Sequence, residues 1–252
     1  MARTQPEQQA PPVLWLRVEY AKRGPARFTS TRDFGRAFER ALRRADVPMA
    51  YSSGFNPHPR LSYANASPTS AATEGEYLEI GLCQICDPDR VRVALDEALP
   101  PGLDILSVVV SDRKALADVL TASQWRVELD SVGAGDIDDE ALREAVDELL
   151  AAEQFDASRM TKTGMRTFDV RVAVMGLHVS APATLSMLLA HTTPLVRPDD
   201  VVGALRQLRP VLAVERPAML TRLRQGELVE GELRDPMGQG WQRPQAGSPT
   251  IS

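Results

Sequence analysis

Five arginines, Arg32, Arg36, Arg40, Arg43 and Arg44, fall within thirteen residues, and the sequence YSSGFNPHPR (residues 51–60) follows shortly after. Guanidinium groups are planar forks that match phosphate and carboxylate oxygens two at a time. Arg36, Arg40, Arg43 and Arg44 stand at i, i+4, i+7 and i+8, a spacing that lines one side of a helix. Arg27 and Ser30, in the run RFTS just before, place free backbone N–H groups at the helix start, a second feature suited to an anion. The plainer reading is a solvated face with Asp33 and Glu39 pairing some of the arginines. Arginine in place of lysine carries little information, because the chain holds only Lys22, Lys114 and Lys162.

The loop is more distinctive than the helix. Gly54 permits unusual backbone angles. Pro57 and Pro59 fix their own φ and disfavour helical geometry at Asn56 and His58. A stiff loop results, presenting Tyr51, Phe55, Asn56, His58 and Arg60, and such loops are where binding groups concentrate. Its plainer reading is a core plug at Phe55 and a turn cap at His58. His58 is also a candidate acid/base, with Asn56 beside it and an acid such as Glu74 or Asp33; Glu74 and Glu76 read more plainly as partners for the helix arginines or Arg60. In the second half of the chain Lys162, Arg166 and Arg171 suggest another basic edge, or merely a solvated hairpin. His191 and Arg197–Pro198–Asp199 flank a helix start and read as a cap. Cys83 and Cys86 form a C-x-x-C pair, but zinc needs four ligands and no further cysteine exists. No metal site is expected.

The elements that must position these groups follow from periodicity. Residues 13–20 alternate as a strand. Residues 31–45 place Phe34, Ala37, Phe38, Ala41, Leu42 and Ala45 on a helical stripe, with Ser30 and Asp33 in a capping pattern. A short strand near 49–52, strands at 61–66 and 77–82, a helix at 89–98 opened by Asp87–Pro88, and a strand at 103–110 complete a β-α-β-β-α-β order. After a connection at 111–123, a strand at 125–129, a helix at 138–152, strands at 155–161, 168–174 and 178–183, a helix at 197–208 and a strand at 218–223 repeat it loosely. Met175–Gly176 and Gln225–Gly226 read as turns. The expected fold is therefore α+β: two ferredoxin-like halves with antiparallel sheets, residues 13–112 and 123–229. A leader (1–12) and a Gly/Pro/Ser/Gln-rich tail (230–252) read as disordered.

Composition narrows the function. The net charge of −5 argues weakly against a nucleic-acid binder. Residues 22–60, however, hold nine Lys/Arg against three acids, a local +6 that leaves −11 for the remainder. A basic patch on an acidic chain attracts one anionic partner while the rest of the surface repels others. No apolar run reaches the roughly 20 residues of a membrane span, and the polar N-terminus lacks a secretory h-region, so a cytoplasmic protein without membrane contact is expected. Phosphate-loop, dinucleotide, H-E-x-x-H and G-x-S-x-G motifs are all missing, and no cofactor is expected.

The run from RFTS through the arginine helix and GFNPHP to EGEYL resembles the radical-SAM-linked family of domains of unknown function, in its stand-alone form. The second half is similar more loosely, through Lys162, Arg166, Asp169, Arg171 and Arg197–Pro198. The resemblance spans about residues 13–229 and implies a partner, a radical SAM protein supplied in trans. Two cysteines cannot hold that enzyme's [4Fe–4S] cluster. The Arg-rich, Lys-poor composition is similar to actinobacterial members, whose genomic neighbours include an RNase E/G-type ribonuclease, and this inclines the substrate toward RNA. The expectation is an accessory protein that binds tRNA or rRNA for a radical SAM partner. The alternatives are a nucleotide- or RNA-modifying enzyme using His58, and a purely structural subunit docking through the loop.

Overall fold

The computed structural model describes residues 8–129, 137–161, 164–214 and 216–240. Eleven strands and five helices follow the chain as β1 (Leu14–Lys22), α1 (Thr31–Arg44), β2 (Leu61–Ala64), β3 (Ala72–Leu82), α2 (Pro88–Ala98), β4 (Leu103–Val110), α3 (Leu116–Val119), β5 (Ala122–Glu128), α4 (Asp139–Ala151), β6 (Asp156–Thr161), β7 (Gly164–Asp169), β8 (Val174–Ala181), β9 (Thr184–Ala190), α5 (Pro198–Leu208), β10 (Met219–Val229) and β11 (Glu232–Arg234).

One nine-stranded sheet runs β4-β1-β3-β10-β5-β9-β8, with β2 added on β3 and β11 on β10. Every pairing is antiparallel except β3 with β10. The first half has the order β4-β1-β3-β2 and the second the order β10-β5-β9-β8. Each is the order of a β-α-β-β-α-β unit, so the architecture is compatible with two ferredoxin-like halves. The second half carries an inserted β6–β7 hairpin that pairs only with itself. β3 joins the halves. One edge of it holds β1. Its other edge is shared, with β2 along residues 77–80 and β10 at Ala72 and Thr73.

Alternation in β1 sends Leu16, Val18 and Tyr20 into the first core, where α1 covers them with Phe34, Phe38, Ala41 and Leu42. Those helix positions recur at 3–4 residue spacing, which is why an arginine-rich sequence still makes one wet and one dry face. Tyr20 stacks on Phe34 at 4.2 Å and Phe34 on Phe38 at 5.6 Å. Ser30 caps α1: its hydroxyl accepts from the Asp33 N–H (3.2 Å) and donates to the Asp33 carboxylate (2.7 Å). The second core gathers Leu142, Leu149, Leu185, Leu189 and Val201 between α4, α5 and their strands.

Several boundaries differ from the sequence expectation. The strand expected near 49–52 is two isolated bridges, Met49 with Leu82 and Tyr51 with Pro59. Met175–Gly176 is not a turn but lies within β8, at a register shift. The reversal comes at Pro182–Ala183, with Ala183 at φ +51°, and β9 follows it unanticipated. Gln225–Gly226 is not a turn either. Gly226 lies inside β10 because a Cβ there would collide with the Arg234 carbonyl of β11. The tail is ordered through Gly240: β11 pairs with β10, and the Pro236 carbonyl accepts from the buried Arg17 guanidinium (2.6 Å). Within the leader, Gln9 donates its N–H to Ser53 (2.9 Å). The remainder of both termini, residues 1–7 and 241–252, lies outside the described residues.

Candidate functional site

Because the apolar stripe of α1 faces the sheet, Arg32, Arg36, Arg40 and Arg43 face solvent. The ion pairs found among the described residues engage other arginines: Arg17, Arg23, Arg113, Arg126, Arg159, Arg209 and Arg222. Asp33 is taken up by the Ser30 cap, and neither it nor Glu39 pairs with an α1 arginine. Among the described residues, these four cations on one helix have no ion-pair partner. Arg44 turns away to donate to the Ala98 carbonyl (2.8 Å). Arg27 also stays apart, its guanidinium 4.7 Å over the Phe28 ring and 3.5 Å from the Met219 sulfur.

Five residues after α1 the chain enters the loop. Its neck is a narrow ladder: Ala50 N–H to the Gly81 carbonyl, Arg60 N–H to the Ala50 carbonyl, and Ser52 N–H to the His58 carbonyl, each 2.8 Å. The Ser52 hydroxyl closes it by accepting from the His58 N–H (3.0 Å). Beyond the neck Gly54 adopts φ +132°, a left-handed conformation suited to glycine. Tyr51, Asn56, His58 and Arg60 are exposed, and Phe55 is 65% exposed, so it does not plug the core. The helix face and the loop therefore both face solvent.

The groups considered for acid/base work are not brought together. Asn56 and His58 share the loop. Glu74 lies seven positions along β3 from the loop neck at Gly81, on the order of 20 Å, and it pairs with Arg23 (2.9 and 3.0 Å from Nε). Of the second basic edge, Arg166 is exposed on β7. Arg171 points inward, donating to the carbonyls of Leu150 (3.3 Å) and Val174 (3.0 Å). Lys162 lies outside the described residues. Cys83 is exposed and Cys86 partly so, and no group of three or more potential metal ligands occurs among the described residues. No described helix is long and apolar enough to cross a membrane.

A second arrangement lies where the halves meet, and periodicity gave no hint of it. A cavity of about 380 Å³ opens there, lined by the loop after β2, by β5 and β10, and by the segment from β9 into α5. His191 stands in it. Its Nδ1 is 2.6 Å from the Leu120 carbonyl and its Nε2 is 2.6 Å from the Ser123 hydroxyl. The carbonyl can only accept, so Nδ1 carries the proton and Nε2 accepts from Ser123. Burial pushes the His191 pKa below its usual 6.5, which favours this neutral form. A hydroxyl hydrogen-bonded to a neutral imidazole is a base-activated oxygen in chemical terms. Asn65 donates to the same Leu120 carbonyl (3.0 Å). On the floor, Arg222 is 3% exposed, pairs with the buried Glu76, and lies 5.4 Å over the Trp125 ring. Ser67 donates its N–H to Glu76 as well (3.2 Å). The sequence signals for this site were His191, one of three histidines in the chain, and Arg197–Pro198, which read there as a cap.

Residues 15–198 match the model of a family described as an uncharacterized protein conserved in bacteria (DUF2344). No curated protein matches the chain. Among solved structures, it is similar to a crystal structure of an unknown protein from Galdieria sulphuraria, at 18% identity over 83% of this chain and 98% of that one. The TM-score of 0.25 is too low for that similarity to inform the fold.

Proposed function

The chain belongs to this DUF2344 family of uncharacterized conserved bacterial proteins, and we propose that it is an accessory protein that binds RNA, tRNA or rRNA, for a radical SAM partner acting in trans. The observation that carries the reading is the solvent-facing row Arg32, Arg36, Arg40 and Arg43 on α1, followed in the chain by the exposed loop at residues 51–60. Its cations have no acidic partner among the described residues, while the chain outside residues 22–60 is net acidic. Phosphate contacts supply affinity and orientation without sequence information. The exposed loop groups, Tyr51, Asn56 and His58, are of the kind that stack on and hydrogen-bond unpaired bases. The radical SAM partner rests on the family resemblance alone, and the cytoplasm is the compartment that such a partnership implies.

A salt-dependent RNA mobility shift tests the reading. If Arg36, Arg40 and Arg43 each neutralise one phosphate, replacing all three by Gln reduces the slope of log K against log salt by about 2 to 3. An absence of RNA binding at low salt, or a triple variant that binds with unchanged slope, overturns it. Co-purification with the loop variant Phe55→Ala/His58→Ala separates a loop that touches RNA from one that docks the partner protein. In the second case the partner is lost while RNA binding persists.

A further inference from the structure

The cavity between the halves is not used by the strip on α1 and has its own chemistry. Its volume, about 380 Å³, falls within the roughly 300–1,000 Å³ of small-molecule sites, which favour interfaces of this kind. Its wall is divided. Trp125, Leu189 and Val196 are apolar and almost fully buried. Asn65, Ser123 and His191 present amide, hydroxyl and imidazole. The charged side chains that line it are Arg222 on the floor and Arg197, exposed at the rim; no carboxylate among the described residues lines it. Arg222 spends Nη2 on its ion pair with Glu76, and its buried Nε has no hydrogen-bond partner among the described residues. A buried N–H without an acceptor is costly to leave so, and an anionic oxygen of a bound molecule can supply that acceptor.

We infer that this cavity is a binding site for a small organic anion, its apolar body against Trp125, Leu189 and Val196 and its carboxylate or phosphate toward Arg197 and Arg222. The four segments that build it come from both halves of the sheet, so an occupant also bridges the seam. The inference does not depend on RNA binding by α1.

The experiment is histidine side-chain NMR on the full chain, titrated separately with AMP and with benzoate, and with inorganic phosphate as a control. Expected is a saturable shift of the His191 imidazole signals by AMP, benzoate or both, with phosphate alone weaker because it leaves the apolar wall unused. A response to AMP only assigns the anion as a phosphate, and a response to benzoate only as a carboxylate. Arg197→Gln, at an exposed position, should weaken binding by about tenfold, the loss of roughly 1.4 kcal/mol for one charge-assisted contact. Asn65→Asp places a carboxylate in the wall and should abolish the response. The triple Gln variant of Arg36, Arg40 and Arg43 should leave it intact, which separates this site from the RNA surface. No saturable His191 response at about ten millimolar of either probe, a concentration that fills even a 1 mM site, overturns the inference. So does a response equal in wild type and Arg197→Gln.

Discussion

Replacing Glu19 by Gln should stabilise this protein, and only at neutral and alkaline pH. Glu19 lies on β1, half-buried on the side of the sheet away from α1, and accepts a hydrogen bond from the Tyr77 hydroxyl (2.8 Å). Burial raises its pKa from 4.5 to about 7; the Tyr77 bond works against this, and Asp235 adds to the rise. The folded state therefore holds a proton that the unfolded state has released. Below pH 4.5 both states are protonated and the group contributes no pH dependence. Between 4.5 and about 7 the native state binds the extra proton, so stability falls as pH rises, and above 7 the loss is complete. The interval corresponds to at most about 3 kcal/mol at 1.36 kcal/mol per tenfold step. Solvent on the open side of the group reduces the expected span to about 2 kcal/mol. Glutamine keeps an acceptor for Tyr77 and removes the titration. Urea unfolding of wild type and Glu19→Gln across pH 4 to 8.5, taken as a difference at each pH, cancels the other carboxylates. A difference curve that stays flat through this range would refute the reasoning.

Three further outcomes follow from the same geometry. His191 has a lowered pKa, so its contribution to stability is present above pH 6.5 and lost as pH falls through the folded value; His191→Gln should flatten that acid limb in the same unfolding assay. Arg222→Met alone leaves Glu76 buried and unpaired and should cost about 3–5 kcal/mol, whereas Arg222→Met with Glu76→Gln should recover part of that loss, as read by thermal unfolding. Gly226→Ala drives a Cβ into the Arg234 carbonyl and should destabilise by about 1–3 kcal/mol, with faster amide exchange along β11.

Much of the first half was legible because local rules and tertiary context agree there. The stripe Phe34–Phe38–Ala41–Leu42 and the Ser30 cap define α1, Asp87–Pro88 opens α2 as expected, and the strand at 103–110 is β4. The second half misled where turn chemistry and pairing diverge. Met175–Gly176 carries a turn composition but sits at a bulge, and Gly226 is a glycine for close approach of another backbone, not for reversal. The arginine face could be read from helical spacing. That its arginines lack acidic partners could not, since Asp33 and Glu39 stood at plausible distances along the chain. The seam cavity was illegible for a different reason. Asn65, Ser123, His191 and Arg222 lie tens of residues apart; pairing of β5 with β9 and β10 gathers the last three, and the β3–β10 junction brings the first half beside them.

That junction also bears on how the protein is made. The first half emerges from the ribosome whole by residue 110, yet the edge of β3 opposite β1 lacks its neighbour at Ala72 and Thr73, and Glu76 lacks its ion-pair partner, until Arg222 is synthesised 146 residues later. Arg17 waits longer still, 219 residues, for the Pro236 carbonyl. Domains fold N-terminal first during translation, so this half spends most of its synthesis with an open strand edge and a carboxylate awaiting burial. Unpaired edges of this kind invite strand addition by other chains. A stalled or truncated product that ends before β10 is therefore a substrate for chaperones and proteases, and the second half closes the first as well as itself.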